Sequence, residues 1–157
     1  MNVVSKSFIF LFIRLLMDSL CRTLGFSNNP KRQKCGAPDY ILTLKDIPIG
    51  FVEAKDVGDP DLDGLKKSGN KEQFNRYKAS LENLIFTDYV DFHWYKDGEL
   101  VMQVAIGKIF GNKIIPIPEN FDEFELLINQ FCSFSGQTIK SAKKLAEMMA
   151  GKARLLA

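Results

Sequence analysis

The sequence has few residues of the kinds that build thiolate metal sites or disulfide frameworks. Its 157 residues include one histidine, one tryptophan and three cysteines. The spacing of the cysteines is wide and irregular, which predicts neither a zinc site nor paired disulfides; they are Cys21, Cys35 and Cys132. A reducing, cytoplasmic location is therefore expected. The formal net charge of +2 is too small to indicate a nucleic-acid partner by itself.

No hydrophobic run is long enough to cross a membrane. The longest apolar stretch, SFIFLFI, follows Lys6 and is interrupted by Arg14 and Asp18. A membrane-spanning helix needs about 20 apolar residues, and no small-residue cleavage site follows this stretch. We therefore expect neither a membrane partner nor a signal peptide, and we predict a helix over about 5–24 that packs on a sheet.

The apolar content is sufficient for one domain of average size. Hydrophobic residues make up 46% and aromatic residues 11% of the chain. The segment 35–55 is predicted to form the centre of this domain, as a turn, a strand, a short connection and a second strand. Strand residues two apart lie on one face, roughly 6.6 Å from each other. Glu53 and Lys55 should therefore point to one face, and Val52 and Ala54 to the other.

The predicted hairpin brings a second carboxylate to the same place. If it turns around Asp46, residues whose numbers sum to about 92 face each other, which sets Asp39 opposite Glu53. Carboxylates are ligands that Mg²⁺ prefers, and the backbone carbonyl of Ala54 is a further hard ligand. A lysine beside such an ion, Lys55, can orient a water or stabilise a phosphate. The alternative is that Asp39 caps the strand and the other two side chains face solvent.

These residues carry a resemblance. Pro38-Asp39, followed by Glu53-Ala54-Lys55 on the next strand, resembles the PD-(D/E)xK nuclease motif. The strings PKRQKCGAPDY, IPIGFVEAKD and EQFNRY are similar to the amino-terminal nuclease domain of single-polypeptide restriction-modification enzymes. In those enzymes the nuclease precedes a methyltransferase (type IIG), or a helicase and a methyltransferase (type I-like). The similarity runs from about residue 5 to the end.

The resemblance implies a fold, an activity and a cofactor. The fold is a restriction-endonuclease-like α/β sandwich whose central mixed sheet is flanked by helices. The activity is Mg²⁺-dependent cleavage of DNA, with Asp39 and Glu53 as catalytic metal ligands, Ala54 contributing its carbonyl, and Lys55 as the catalytic amine. The domain is expected over 1–135, with 136–157 starting a helical connector. Methyltransferase or helicase and recognition domains are expected in the parent protein beyond this chain.

Further residues are implied as accessory or DNA-binding. A helix predicted over about 71–83 places Gln73 and Tyr77 on one face, four residues apart. In similar nucleases such a pair lies beside the metal site and contacts DNA, and Arg76 is a candidate phosphate contact. An ordinary core tyrosine with an exposed glutamine is the alternative. Before the hairpin stand three cations that are either DNA-backbone contacts or a solvated loop: Lys31, Arg32 and Lys34.

The remaining pattern predicts strands over 84–89 and 91–95, a turn at 96–99, a returning strand, a proline-containing link over 112–118 and a helix that follows it. His93 is expected to be a packed or edge residue without a catalytic role. One feature departs from the family pattern, because Lys6 stands where the first helix commonly carries a metal-binding glutamate. This suggests impaired activity, or a nuclease-like module that only binds DNA or docks another domain.

Overall fold

The computed structural model describes residues 24–28, 38–45, 47–64, 68–111 and 113–134, and the statements that follow concern these residues. The helices are α1 (Ser68–Ser80) and α2 (Phe121–Cys132), the second preceded by a 3₁₀ turn (Pro118–Asn120). The first four strands are β1 (Leu24–Asn28), β2 (Tyr40–Leu44), β3 (Ile47–Ala54) and β4 (Asn83–Thr87). The others are β5 (Asp91–Lys96), β6 (Glu99–Ala105), β7 (Gly107–Phe110) and β8 (Lys113–Pro116).

The central sheet has six strands in the order β1-β2-β3-β4-β5-β6, so each strand lies beside its neighbour in sequence. All described pairings are antiparallel except β3 with β4, which is parallel. Parallel neighbours need a long crossover connection, and here α1 provides it. The sheet is therefore mixed, as predicted.

The register of the β2–β3 hairpin is confirmed. Tyr40 pairs with Val52 and Ile41 with Phe51, so the residue numbers sum to 92. A register shift between Leu42 and Thr43 changes the pairing only nearer the turn. Asp39 therefore directly precedes the paired part of β2, at the end of the hairpin where Glu53 stands.

A helix covers each face of the sheet. The α1 side chains Phe74 and Tyr77 pack on one face with Phe86 and Tyr95, whereas the apolar stripe of α2 packs on the other with Val52 and Ala54. That stripe is buried and consists of Phe124, Leu127, Ile128 and Phe131. Asp122 and Glu123 occupy the first turn of α2, where carboxylates suit the helix dipole. The architecture is thus an α/β sandwich, and the two faces alternate along β3 as predicted.

Two predicted segments differ from the structure. Residues 24–28 form β1, whereas the sequence predicted only the end of a helix followed by a break; the pairing with β2 decides this conformation. The link predicted over 112–118 contains β8, which pairs with β7 to form a separate two-stranded ribbon. The single returning strand after Asp97-Gly98 is accordingly two strands, β6 and β7.

Several predictions fall outside the described residues. They concern the helix over 5–24, the connector over 136–157, and Lys6, Lys31, Arg32 and Lys34. Among the helices that the structure does describe, none combines the length and hydrophobicity that crossing a membrane would need.

One buried asparagine joins three elements beneath the α2 face. The Asn83 side chain donates to the carbonyl oxygens of Ile49, at 2.7 Å, and of Phe131, at 3.0 Å. Its own oxygen accepts the indole N–H of Trp94 at 2.7 Å. Asn83 is 1% exposed, and the hydrogen bonds to these three groups satisfy its own side chain away from water. The residue ties β3, β5 and the end of α2 together.

Candidate active site at the ends of β3 and β4

The predicted catalytic residues converge where β3 ends. The Lys55 amine donates to Glu53 Oε1 at 3.0 Å and to Gln73 Oε1 at 2.8 Å. The Gln73 amide in turn donates to the same Glu53 oxygen at 2.8 Å. The carboxylate, the ammonium and the amide therefore form a closed three-membered hydrogen-bonded cluster, which we call the Lys55 cluster. Gln73 reaches it because α1 crosses the sheet face to which Glu53 points.

Asp39 stands just before β2, beside the end of β3. Its Oδ2 accepts the backbone N–H of Ala54 at 2.8 Å, which fixes the start of β2 against the end of β3. Its other oxygen has no part in that hydrogen bond. The negative charge of Asp39 acts on Glu53, so the two carboxylates are close enough to influence each other.

Burial raises the pKa of Glu53 above its ordinary value, and the Asp39 charge adds to this effect, while Lys55 and Gln73 oppose it. Glu53 is 5% exposed, and its Oε2 is buried without a hydrogen-bond partner. A buried carboxylate oxygen without a partner costs free energy, so such an atom calls for an explanation. A cation held at this oxygen would supply the missing interaction.

The donor set fits one Mg²⁺ ion. Asp39 and Glu53 offer carboxylate oxygens, and an ion of this kind usually takes one or two carboxylates and keeps several waters. Within the described part of the chain, no group of three or more His, Cys, Asp or Glu side chains is placed to hold a metal. The described residues therefore fit an ion that has few protein ligands, and they do not surround the ion completely.

The accessory residues occupy different environments. Tyr77 is 1% exposed and lies 3.4 Å, hydroxyl to amide, from Gln73 Nε2, so it supports the cluster from the core. Arg76 lies on the exposed side of α1. The sequence did not assign a site role to Phe74, yet the Lys55 amine lies 5.6 Å from its ring centre. The three-residue step from Phe74 to Tyr77 indicated only a core stripe.

A second polar group lies on the same sheet face. Glu53 pairs with Phe86, Phe86 with His93, and His93 with Gln103, so these residues form one row across four strands. The ring of His93 contacts Asp91 at 3.1 Å (Nε2 to Oδ2), and the Gln103 amide donates to the same oxygen at 3.1 Å. Burial opposes ionisation of Asp91, but His93 and Gln103 hold its pKa below its ordinary value. His93 is buried, as expected of a packed residue.

Comparison with known proteins relates this fold to one bound to DNA. No family model and no curated protein matches the chain. Among the solved structures that match is the cryo-EM structure of the DrdV–DNA complex, with a TM-score of 0.57 and 20% sequence identity. The alignment covers 80% of this chain and 11% of that one, so this chain corresponds to a small part of the larger protein.

The similarity confirms the predicted fold class. The chain has a restriction-endonuclease-like α/β fold, with a central mixed sheet and a helix on each face. At this level of identity the similarity concerns the fold. The catalytic and metal-binding roles of Asp39, Glu53, Ala54 and Lys55 stay predictions, as do the accessory roles of Gln73, Arg76 and Tyr77.

The raised pKa of Glu53 gives a pH-dependent prediction for the metal-free protein. The folded state holds this proton more tightly than the unfolded state, so stability is lost as the pH rises from the ordinary value of 4.5 through the raised pKa. Glu53→Gln does not titrate. In EDTA, the unfolding free energy of Glu53→Gln minus that of the parent is expected to increase as the pH rises from about 4 to about 8.

Urea unfolding at several pH values measures this difference. Glu72→Gln serves as the matched control, because Glu72 is exposed on α1. A difference between Glu53→Gln and the parent that stays constant with pH would contradict the assignment of a perturbed carboxyl to Glu53.

Proposed function

We propose that this chain is the Mg²⁺-dependent endonuclease part of a DNA restriction-modification enzyme. The observation that carries the proposal is the Lys55 cluster, in which a buried carboxylate with an unpartnered oxygen is held beside an ammonium and close to a second carboxylate. The fold similarity to the DrdV–DNA complex supports DNA as the substrate. A methyltransferase or helicase and a recognition domain would belong to the rest of the parent protein.

Asp39 and Glu53 would hold the ion, with the Ala54 carbonyl as a further oxygen ligand. When bound, Mg²⁺ supplies Lewis-acid polarisation of the phosphodiester and lowers the pKa of an attached water. Hydrolysis would add a water to phosphorus and break one phosphorus–oxygen bond, leaving a phosphate end and a hydroxyl end.

The chain's own residues supply charge and orientation. Lys55 is positioned by Glu53 and Gln73, so its ammonium is already oriented before substrate binds. From there it can orient the attacking water or stabilise the negative charge that develops on the phosphate. Gln73 links the carboxylate and the amine, and it keeps both in place through α1. Four basic side chains would add contacts to the DNA backbone: Lys31, Arg32, Lys34 and Arg76.

A second candidate function is a nuclease-like module that binds DNA or another domain without cleaving. Two observations favour it: Lys6 stands at the expected helix glutamate, and the described residues lack a third acidic ligand. The two candidates differ in metal uptake, because an inert module has no need of the ion.

Nicking of supercoiled plasmid by the full 157-residue chain tests the proposal. We expect cleavage with Mg²⁺, none with EDTA, and a loss of about 10²-fold or more in Asp39→Asn, because the variant removes one of two carboxylate ligands. Asp97→Asn, in the exposed turn between β5 and β6, is the control and should cleave like the parent. Parental cleavage by Asp39→Asn would contradict the assigned role, and absence of cleavage together with absence of Mg²⁺ uptake would favour the inert module.

A further inference from the structure

The ribbon formed by β7 and β8 presents two different faces. Phe110 pairs with Lys113 and Lys108 with Ile115, so these four side chains share one side, which we call the outer ribbon face. The other side, the inner face, carries Ile109 and Ile114, which pair with each other.

The inner face attaches the ribbon near the Lys55 cluster. A Cβ built on Gly58 would lie 2.8 Å from the Ile109 side chain, so the ribbon rests directly on the loop that follows Lys55. That loop is tied to the end of β4, since the Gly58 N–H donates to Asp88 Oδ2 at 2.8 Å. At the ribbon base, the Ile106 N–H donates to the Val90 carbonyl at 2.8 Å. The ribbon therefore projects from the sheet edge at which the cluster lies.

The outer ribbon face is exposed, basic and aromatic. Phe110 is 76% exposed, the highest value among the large hydrophobic side chains of the described residues, and Ile115 is 51% exposed. Residues 107–116 contain two lysines and no carboxylate. Within the described part of the chain, neither Lys108 nor Lys113 forms an ion pair. A large exposed aromatic between two cations is costly for a surface that stays in water and suits a polyanion with apolar surfaces.

We propose that the outer ribbon face contacts DNA and holds the duplex beside the Lys55 cluster. The identity of the partner rests on the proposed function. Lys108 and Lys113 contact phosphates, and Phe110 packs against sugars or bases. The ribbon continues from β6, three strand spacings of roughly 4.8 Å from β3. The major groove of DNA, about 12 Å wide, admits a two-stranded ribbon of this kind.

DNA affinity measured without cleavage tests this surface. The full chain and its variants are titrated against a fluorescein-labelled 30-base-pair duplex in EDTA, with fluorescence anisotropy as the readout. We expect Phe110→Ala to weaken binding about 10-fold. The double variant Lys108→Ala/Lys113→Ala is expected to reduce the slope of log affinity against log salt by about 2. Leu126→Ala, exposed on α2, and Lys71→Ala, exposed on α1, are matched controls that keep the parental values.

The outcomes separate this inference from the nuclease proposal. Binding that depends on the ribbon supports it even if the parent does not nick plasmid with Mg²⁺. If the ribbon variants keep the parental affinity and salt slope, the ribbon inference is overturned even if the parent cleaves DNA. It is also overturned if the parent does not bind the duplex. Phe110→Ala could also abolish self-association in sedimentation while its DNA affinity in anisotropy stays unchanged. That result assigns the outer ribbon face to a second copy of the chain and overturns the proposal.

Discussion

Replacing Lys55 by alanine is expected to lower Mg²⁺-dependent DNA cleavage by about 10³-fold, which is the upper range for loss of one preorganised electrostatic group. The reason lies in its environment. Its side chain is 15% exposed and held by two hydrogen bonds, so neither a solvent cation nor a neighbouring lysine can take its position. The measurement is single-turnover cleavage of a labelled duplex with excess protein, which reports the chemical step.

The control must separate chemistry from binding and from folding. Lys71→Ala removes an exposed cation of α1 and should cleave like the parent. Lys55→Ala should also keep its affinity for the duplex in Ca²⁺, because one partly buried lysine contributes little to overall attraction for the backbone. A variant that cleaves at the parental rate would remove Lys55 from the mechanism. A variant that loses affinity and cleavage equally would make it a DNA-positioning residue.

Replacing Asn83 by leucine is expected to destabilise the fold by about 4 kcal/mol, because three polar groups each lose a hydrogen bond at once and an unsatisfied buried group costs about 1–3 kcal/mol. The groups are the carbonyls of Ile49 and Phe131 and the indole N–H of Trp94. Domains are commonly stable by only 5–15 kcal/mol, so about 4 kcal/mol is a large fraction of the total. Leucine is not smaller than asparagine, which excludes a cavity as the cause.

Urea unfolding followed by far-ultraviolet circular dichroism measures this loss. Circular dichroism is preferred to fluorescence because Trp94, the only tryptophan, lies in the altered hydrogen-bond network. Asn75→Leu, on the exposed side of α1, is the matched control and should change stability by less than about 0.5 kcal/mol. If Asn83→Leu unfolds at the parental midpoint, the three hydrogen bonds of Asn83 do not contribute measurably to the stability of the fold.

The β2–β3 hairpin and the shared face of Glu53 and Lys55 were predictable from the sequence. The alternation of Val52 and Ala54 with Glu53 and Lys55 fixes which side chains share a face. The predicted turn gave the register that the pairs Tyr40–Val52 and Ile41–Phe51 show. The approach of Gln73 was implied by resemblance alone, because no local rule places a helix residue 18 positions away against Lys55. The crossover between β3 and β4 makes that contact.

The ribbon and the Asn83 network could not be predicted. The strands of the ribbon are four residues each, the second ends in Pro116, and Ile109 packs on the loop at Gly58. Such packing leaves no periodic signal in so short a segment. Asn83 likewise looks like a polar residue at a strand end, and its partners Ile49 and Phe131 are 34 and 48 positions away. Tertiary contacts override local preference in both places.

The connection between β3 and β4 also has a kinetic consequence. Glu53 and Gln73 are 20 positions apart, and their contact requires both the crossover helix and the parallel pairing to be in place. Long-range parallel pairings form slowly, because the loop-closure entropy is lost before the contacts stabilise the chain. The antiparallel hairpins on either side need no such closure. During refolding, the Gln73 amide and the Glu53 carboxylate should therefore meet in the last phase, after most of the secondary structure has formed.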